Sequence, residues 1–145
     1  MMKVVFDSNV LLDAIGGRAD YEVAQNLFLA VAQEMMEGYV TANSVTDIYY
    51  ISKKILGDAD ARTAIRNLIA LFDVIPIDGE ICENALDLSM SDFEDAIVSV
   101  CASDVDADYI VTRDDGFLKA EGNTVTAINP YDLFSLLSDE ETDTE

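Results

Sequence analysis

Two carboxylates in this chain each close an apolar, β-rich run. Val4-Val5-Phe6 leads into Asp7, and Tyr109-Ile110-Val111-Thr112 leads through Arg113 into Asp114. In a parallel sheet flanked by helices, ligands sit beyond the carboxyl ends of the strands, where the strand order reverses. Two strand-end acids there can face one another across a crevice. Their convergence calls for a positive charge between them, and a divalent ion with oxygen ligands is the usual solution.

Other acids stand where they can join that pair. Asp47 follows Ser44-Val45-Thr46, just after a strand end. Ser91-Asp92-Phe93-Glu94-Asp95 opens a helix, with Asp92 and Asp95 three apart and on one face. Asp95 is followed directly by Ala96-Ile97, which sets it near the buried side, where an unpaired carboxylate is costly. Asp115 extends the loop after Asp114. Each acid also has a purely structural reading. Asp7 or Ser8 caps a helix, Ser44 with Asp47 and Ser91 with Glu94 fit capping boxes, and acids in a first turn complement the helix macrodipole.

The elements that must position these residues alternate between strand and helix. Strands are expected at 3–6, 39–41, 73–77, 109–112 and 124–128. Helices are expected at 9–15, 20–37, 44–56, 59–71, 79–89, 92–105 and 130–137. In the second helix Ala24, Leu27, Phe28, Val31 and Met35 recur at helical spacing, with Gly38 as its stop. In the fourth, Ala61, Ile65, Leu68, Ile69 and Phe72 share a face. Pro76 marks the third strand as an edge. Strands joined through helices imply parallel crossovers and a three-layer α/β/α sandwich.

Composition narrows the chemistry. At 145 residues the chain is one domain, with half its residues hydrophobic. We expect that domain to span 1–138 and an acidic, disordered tail to span 139–145. There is no His, which removes Ser-His-Asp catalysis and most zinc chemistry. The net charge is −21 with eight basic residues, so a broad phosphate-binding surface is not expected. A metal-bridged phosphate remains compatible, because the ion supplies the positive charge. Half of the cations, Lys53, Lys54, Arg62 and Arg66, fall on the third and fourth helices, as one short basic strip or as ordinary surface salt bridges. Cys82 and Cys101 read as buried thiols. No run is long enough to span a bilayer, and Met1-Met2-Lys3 leads straight into a strand without an apolar leader, so a cytoplasmic location is expected.

Four segments together resemble a known family: Val4-Val5-Phe6-Asp7-Ser8-Asn9-Val10-Leu11-Leu12-Asp13, Ser44-Val45-Thr46-Asp47-Ile48-Tyr49-Tyr50-Ile51, Asp92-Phe93-Glu94-Asp95-Ala96 and Ile110-Val111-Thr112-Arg113-Asp114. They are similar to PIN domains, in particular to single-domain VapC-type toxins. The resemblance implies a central parallel five-stranded sheet of order 3-2-1-4-5, with the first and fourth strands adjacent. It implies an acidic quartet of Asp7, Asp47, Asp95 and Asp114, with Asp92 and Asp115 as auxiliary acids. The family carries Glu at the second position, where this chain has the shorter Asp47. Mg²⁺ or Mn²⁺ would be held by these carboxylates, with Asn9 and Thr112 orienting them, for hydrolysis of RNA phosphodiesters.

The resemblance also implies a cognate antitoxin and a homodimer. Leu27, Phe28, Tyr49 and Tyr50 are more large apolar groups than one small core needs, so some are expected at an interface. Two other readings compete. Phosphoaspartyl chemistry fits poorly, because the fifth strand ends in Ala127-Ile128-Asn129 without a Lys and position 9 is Asn rather than Asp. A PIN scaffold without activity, serving as a binding module, is the second.

Overall fold

The computed structural model describes residues 1–18 and 20–143. Its sheet is parallel and five-stranded: β1 (Lys3–Phe6), β2 (Glu37–Thr41), β3 (Asp73–Ile75), β4 (Tyr109–Val111) and β5 (Ala127–Ile128) lie in the order β3-β2-β1-β4-β5. Eight helices connect and flank them among the described residues: α1 (Ser8–Gly16), α2 (Tyr21–Ala32), α3 (Ala42–Leu56), α4 (Asp58–Leu71), α5 (Gly79–Asp87), α6 (Phe93–Asp104), α7 (Asp115–Leu118) and α8 (Pro130–Asp143).

β1 is the central strand, and its side chains alternate between two cores as the pleat requires. Val4 and Phe6 pack with α1, α2, α3, α4 and α8, while Val5 packs with α5, α6 and α7. All three side chains are buried, which explains an unbroken apolar run rather than alternation. The resulting three layers and strand order are those expected from the sequence. The order reverses between β1 and β4, whose partners are Val4↔Tyr109, Val5↔Ile110 and Phe6↔Val111. One more hydrogen bond, Asp7 N–H to the Val111 carbonyl at 2.9 Å, carries the ladder past the strand end and fixes Asp7 beside Thr112.

Several boundaries differ from expectation, each for a local reason. α2 ends at Ala32, and Gly38 lies inside β2 instead of stopping the helix. A Cβ at Gly38 would come within 2.7 Å of the Phe72 ring and 2.9 Å of Val31, so glycine is required there by close packing. The chain leaves α2 through Glu34 at φ 60°, with Glu34 N–H on Val31 O and Met35 N–H on Ala30 O. That is a Schellman closure with a charged residue in the glycine position. Glu34→Gly should therefore raise stability by about 0.5–1 kcal/mol, read as a higher urea midpoint at unchanged slope.

α3 starts at Ala42, with Thr41 in the N-cap position but making no side-chain capping bond, so Ser44 lies within the helix and shares a hydrogen bond with Thr41 Oγ1 at 2.8 Å rather than capping. α6 is capped by Asp92, not by Ser91. Ile69 is exposed and does not join the apolar face of α4. Leu27 is fully buried and belongs to the core, not to an interface, while the half-buried Phe28 packs on Phe72 with ring centroids 5.4 Å apart. β3 is an edge strand, as Pro76 suggested. The single turn α7 stands in the segment expected as the loop after Asp114. α8, anchored by the buried Leu133 and Leu137, runs to Asp143 rather than ending near 137. Residues 144–145 of the acidic tail lie outside the described residues.

Candidate metal centre at the carboxyl ends of β1 and β4

Asp7 extends from the end of β1 and caps α1, its Oδ1 accepting from Ser8 N–H at 2.9 Å. Its other oxygen accepts from Thr112 Oγ1 at 2.8 Å and from Asn9 Nδ2 at 3.2 Å. Asn9 Nδ2 also reaches Thr112 Oγ1 at 3.2 Å, and Arg113 N–H donates to Asn9 Oδ1 at 3.3 Å. Thr112 Oγ1 accepts in turn from Asp114 N–H at 3.1 Å. This closed network sets the Asp7 carboxylate and ties the β4–α7 loop to the start of α1. Asn9 and Thr112, expected from the sequence to orient the acids, both bond Asp7 directly.

The other acids arrive on helix starts. Asp114 caps α7, accepting from Gly116 N–H at 3.3 Å. Asp92 caps α6, accepting from Asp95 N–H at 3.0 Å, and Asp95 sits half-buried in the first turn. The structure brings Asp7, Asp92, Asp95 and Asp114 within electrostatic range of one another. The Asp95 carboxyl is pushed up to about 7, first by burial and then by the charges of Asp92, Asp7, Asp114 and Glu94. Asp7 is raised too: burial outweighs its hydrogen bonds from Thr112 and Ser8, and the charges of Asp114 and Asp92 add to it.

The remaining two candidates are placed differently. Asp47 is exposed in the second turn of α3, and its charge is not one of the principal ones acting on Asp7 or Asp95. Because α3 begins at Ala42, Asp47 is one turn further along than a capping residue would be. Asp115 opens α7, exposed, and is likewise not one of those principal charges.

A family model described as PIN domain matches residues 3–116. The chain belongs to the PIN domain family. Among solved structures, VapBC2 from Rickettsia felis, bound to a DNA fragment from its promoter, is similar at a TM-score of 0.66 and 14% identity, covering 88% of this chain and 98% of that one. A toxin-antitoxin complex from Klebsiella pneumoniae gives 0.63 and 21%, over 88% and 98%. VapC20 from Mycobacterium tuberculosis, described as a Sarcin-Ricin loop cleaving toxin, gives 0.63 and 13%, over 79% and 92%. At these identities the likeness is one of fold. No curated protein matches the chain.

On this PIN fold the four coupled acids form a set of hard oxygen donors short of positive charge. That donor chemistry fits Mg²⁺ or Mn²⁺ and not a soft or imidazole-preferring ion, since the chain has no His. As the side chains stand, no three acids or thiols among the described residues are close enough together to hold an ion. Asp7, Asp92 and Asp114 are instead each engaged by a backbone N–H.

Asp13, which no sequence pattern marks as a site residue, organises the rim. Asp13 is 1% exposed, and Arg113 donates to it twice, Nε to Oδ2 at 2.6 Å and Nη2 to Oδ1 at 3.2 Å. Arg18 Nε approaches Oδ1 at 3.4 Å. The signal was present: Asp13 falls on the apolar face after Leu11-Leu12, and an acid there demands a cation. On α6, one turn after Asp95, buried Ser99 donates to Asn123 Oδ1 at 2.6 Å and accepts from Thr124 N–H at 3.1 Å, which fastens the segment before β5 to the helix that carries Asp92 and Asp95.

The raised acids give the metal-free fold an unusual pH dependence. An Asp titrates near 3.9 when unfolded, so the stability tied to protonated Asp95 is complete below about pH 4 and is lost as pH rises through about 7. The melting temperature in EDTA should therefore fall between pH 5 and pH 8. Allowing for solvent screening of a half-buried group, the loss is about 1 kcal/mol, or a few degrees. A melting temperature that rises over that interval would contradict the coupling.

Proposed function

We propose that this chain is a metal-dependent endoribonuclease of VapC type, the toxin of a toxin-antitoxin pair, acting on RNA in the cytoplasm as a homodimer held in check by a cognate antitoxin. The observation that supports this is the electrostatic influence of Asp7, Asp92 and Asp114 on Asp95 near the reversal of strand order, with Asp95 pushed up to about 7. Membership of the PIN family and the shared fold with VapC structures support it. Among the described residues no helix is long and apolar enough to cross a membrane.

In this reading Asp7, Asp95 and Asp114 hold Mg²⁺ or Mn²⁺, with Asp92 at the edge of the set. Bound there, the ion would supply Lewis acidity and a water of lowered pKa. The chain itself supplies orientation. Thr112 and Asn9 hold the Asp7 carboxylate, the Asp92 cap fixes the first turn of α6 and with it Asp95, and the Arg113–Asp13 pair fixes the loop that carries Asp114. Asp95, whose carboxyl is pushed up to about 7 by burial and its acidic neighbours, would gain most from a cation held there.

The test combines binding and activity. Millimolar Mn²⁺ or Mg²⁺ should raise the melting temperature by mass action, and the wild type should cleave RNA from a panel in Mn²⁺ but not in EDTA. Asp7→Asn should reduce the thermal gain and lower cleavage by about a hundredfold. A melting curve blind to both ions would overturn the metal site. A second reading, a PIN scaffold used as a binding module, rests on the shorter Asp47 standing in the place of the family's Glu. Metal-induced stabilisation without cleavage of any RNA would select it.

A further inference from the structure

The eight cations of this chain are unevenly used. Residues 42–71 carry four of them, Lys53, Lys54, Arg62 and Arg66, against three acids, Asp47, Asp58 and Asp60. That segment has a net charge of +1 in a chain of −21, so the rest of the molecule carries −22. It folds as the helical hairpin of α3 and α4. Of the four, Arg62 is paired with Asp58 at 3.1 Å. Lys53, Lys54 and Arg66 make no ion pair among the described residues, although the chain has 29 acids.

Aromatic rings lie between these cations. Tyr49 and Tyr50 meet edge to face with centroids 5.2 Å apart, and Tyr50 is 58% exposed. The Arg62 guanidinium sits 5.5 Å over the Tyr49 ring, and Tyr49 Oη donates to Asp58. A shallow hollow of about 200 Å³ is lined by Tyr49, Arg62, Ile65 and Arg66. Helical spacing sets Lys53 one turn from Tyr49, Lys54 one turn from Tyr50 and Arg66 one turn from Arg62, so rings and cations run in parallel stripes. Asp47 is one turn before Tyr50 on the same helix, whose start adjoins the carboxyl end of β2.

Exposed rings take unstacked bases, and unpaired cations take the phosphates between them. We propose that the α3–α4 hairpin is a contact surface for single-stranded RNA, with Tyr50 and the hollow beside Tyr49 receiving bases and Lys53, Lys54 and Arg66 receiving phosphates. It rests on the reading of RNA as the substrate and names the form of that substrate. Elsewhere the charge repels a polyanion, so this narrow strip selects an unpaired strand that can splay its bases over a duplex that cannot. Ile51 and Ile55, also exposed, are a separate i, i+4 pair on α3.

The experiment is fluorescence anisotropy with a short unstructured RNA and the full chain. It is done in EDTA on an Asp95→Asn background, so that neither cleavage nor a metal bridge contributes. Tyr50→Ala should raise Kd about tenfold, the effect of losing one stacked base. Lys53→Ala with Arg66→Ala should raise it at least as much and flatten the salt dependence, whose slope for three phosphates should be about −2. A duplex of the same sequence should bind more weakly than the single strand. Unchanged Kd values in the variants would overturn the surface, as would a change only in molar mass by light scattering, which would make the hairpin a contact between copies. If the wild type still cleaves RNA in Mn²⁺ in that case, only the surface falls. If it neither binds nor cleaves, the ribonuclease reading falls with it.

Discussion

Arg113→Met is expected to lower the unfolding free energy by about 3 kcal/mol, the largest stability loss that any rim residue should show. Asp13 is buried, and two of its three close cationic contacts come from Arg113. Removing the guanidinium leaves a carboxylate in the core with Arg18 alone, 3.4 Å from one oxygen. A buried charge with half its partners costs far more than a surface pair ever contributes. The loss should appear as a lower urea midpoint at unchanged slope. Asp13→Leu combined with Arg113→Met should recover part of it, because no charge is then stranded. The single substitution should also reduce metal binding, since Arg113 spans Thr112 and Asp114. A loss below about 0.5 kcal/mol would mean that Arg18 alone satisfies Asp13.

This pair shows where sequence reading reached its limit. β1 and β4 were legible because a strand buried on both faces must be apolar throughout, and Asp7 and Asp114 were legible because each breaks such a run. Asp13 carried the same kind of signal inside a helix, but its partner lies 100 residues away, and no local pattern names it. Cap positions were ambiguous for a different reason. Ser91 and Asp92 are both good caps, and the structure starts the helix at Phe93 with the Asp92 side chain accepting from Asp95 N–H. At α3 the same ambiguity was consequential. A start at Ala42 instead of near Ser44 puts Asp47 in the second turn of the helix, past the capping-box position that its spacing from Ser44 suggested. Gly38 was read as a helix stop because its requirement is tertiary, the approach of Phe72 from α4's end.

Asp95→Asn should separate stability from function more sharply than any other substitution. In the metal-free protein the Asp95 carboxyl is held near 7 by burial and by Asp92, Asp7, Asp114 and Glu94. At pH 8 it is ionised at a cost that the unfolded chain does not bear. Asn keeps the shape and removes the charge, so the variant should melt higher than the wild type at pH 8 in EDTA, by a few degrees, and about equally at pH 5. The same change deletes an oxygen donor and a negative charge from the proposed ion site. The thermal gain from Mn²⁺ should shrink, and cleavage should fall by about a hundredfold or more. A residue selected for packing gives the opposite pattern: its loss destabilises at every pH and activity falls only with folding. Melting curves at both pH values, with and without Mn²⁺, beside initial cleavage rates, decide between the two. A variant less stable than the wild type at pH 8 would show that Asp95 serves the fold, and the carboxylate cluster would then lose its strongest claim to be a site where function is held at the expense of stability.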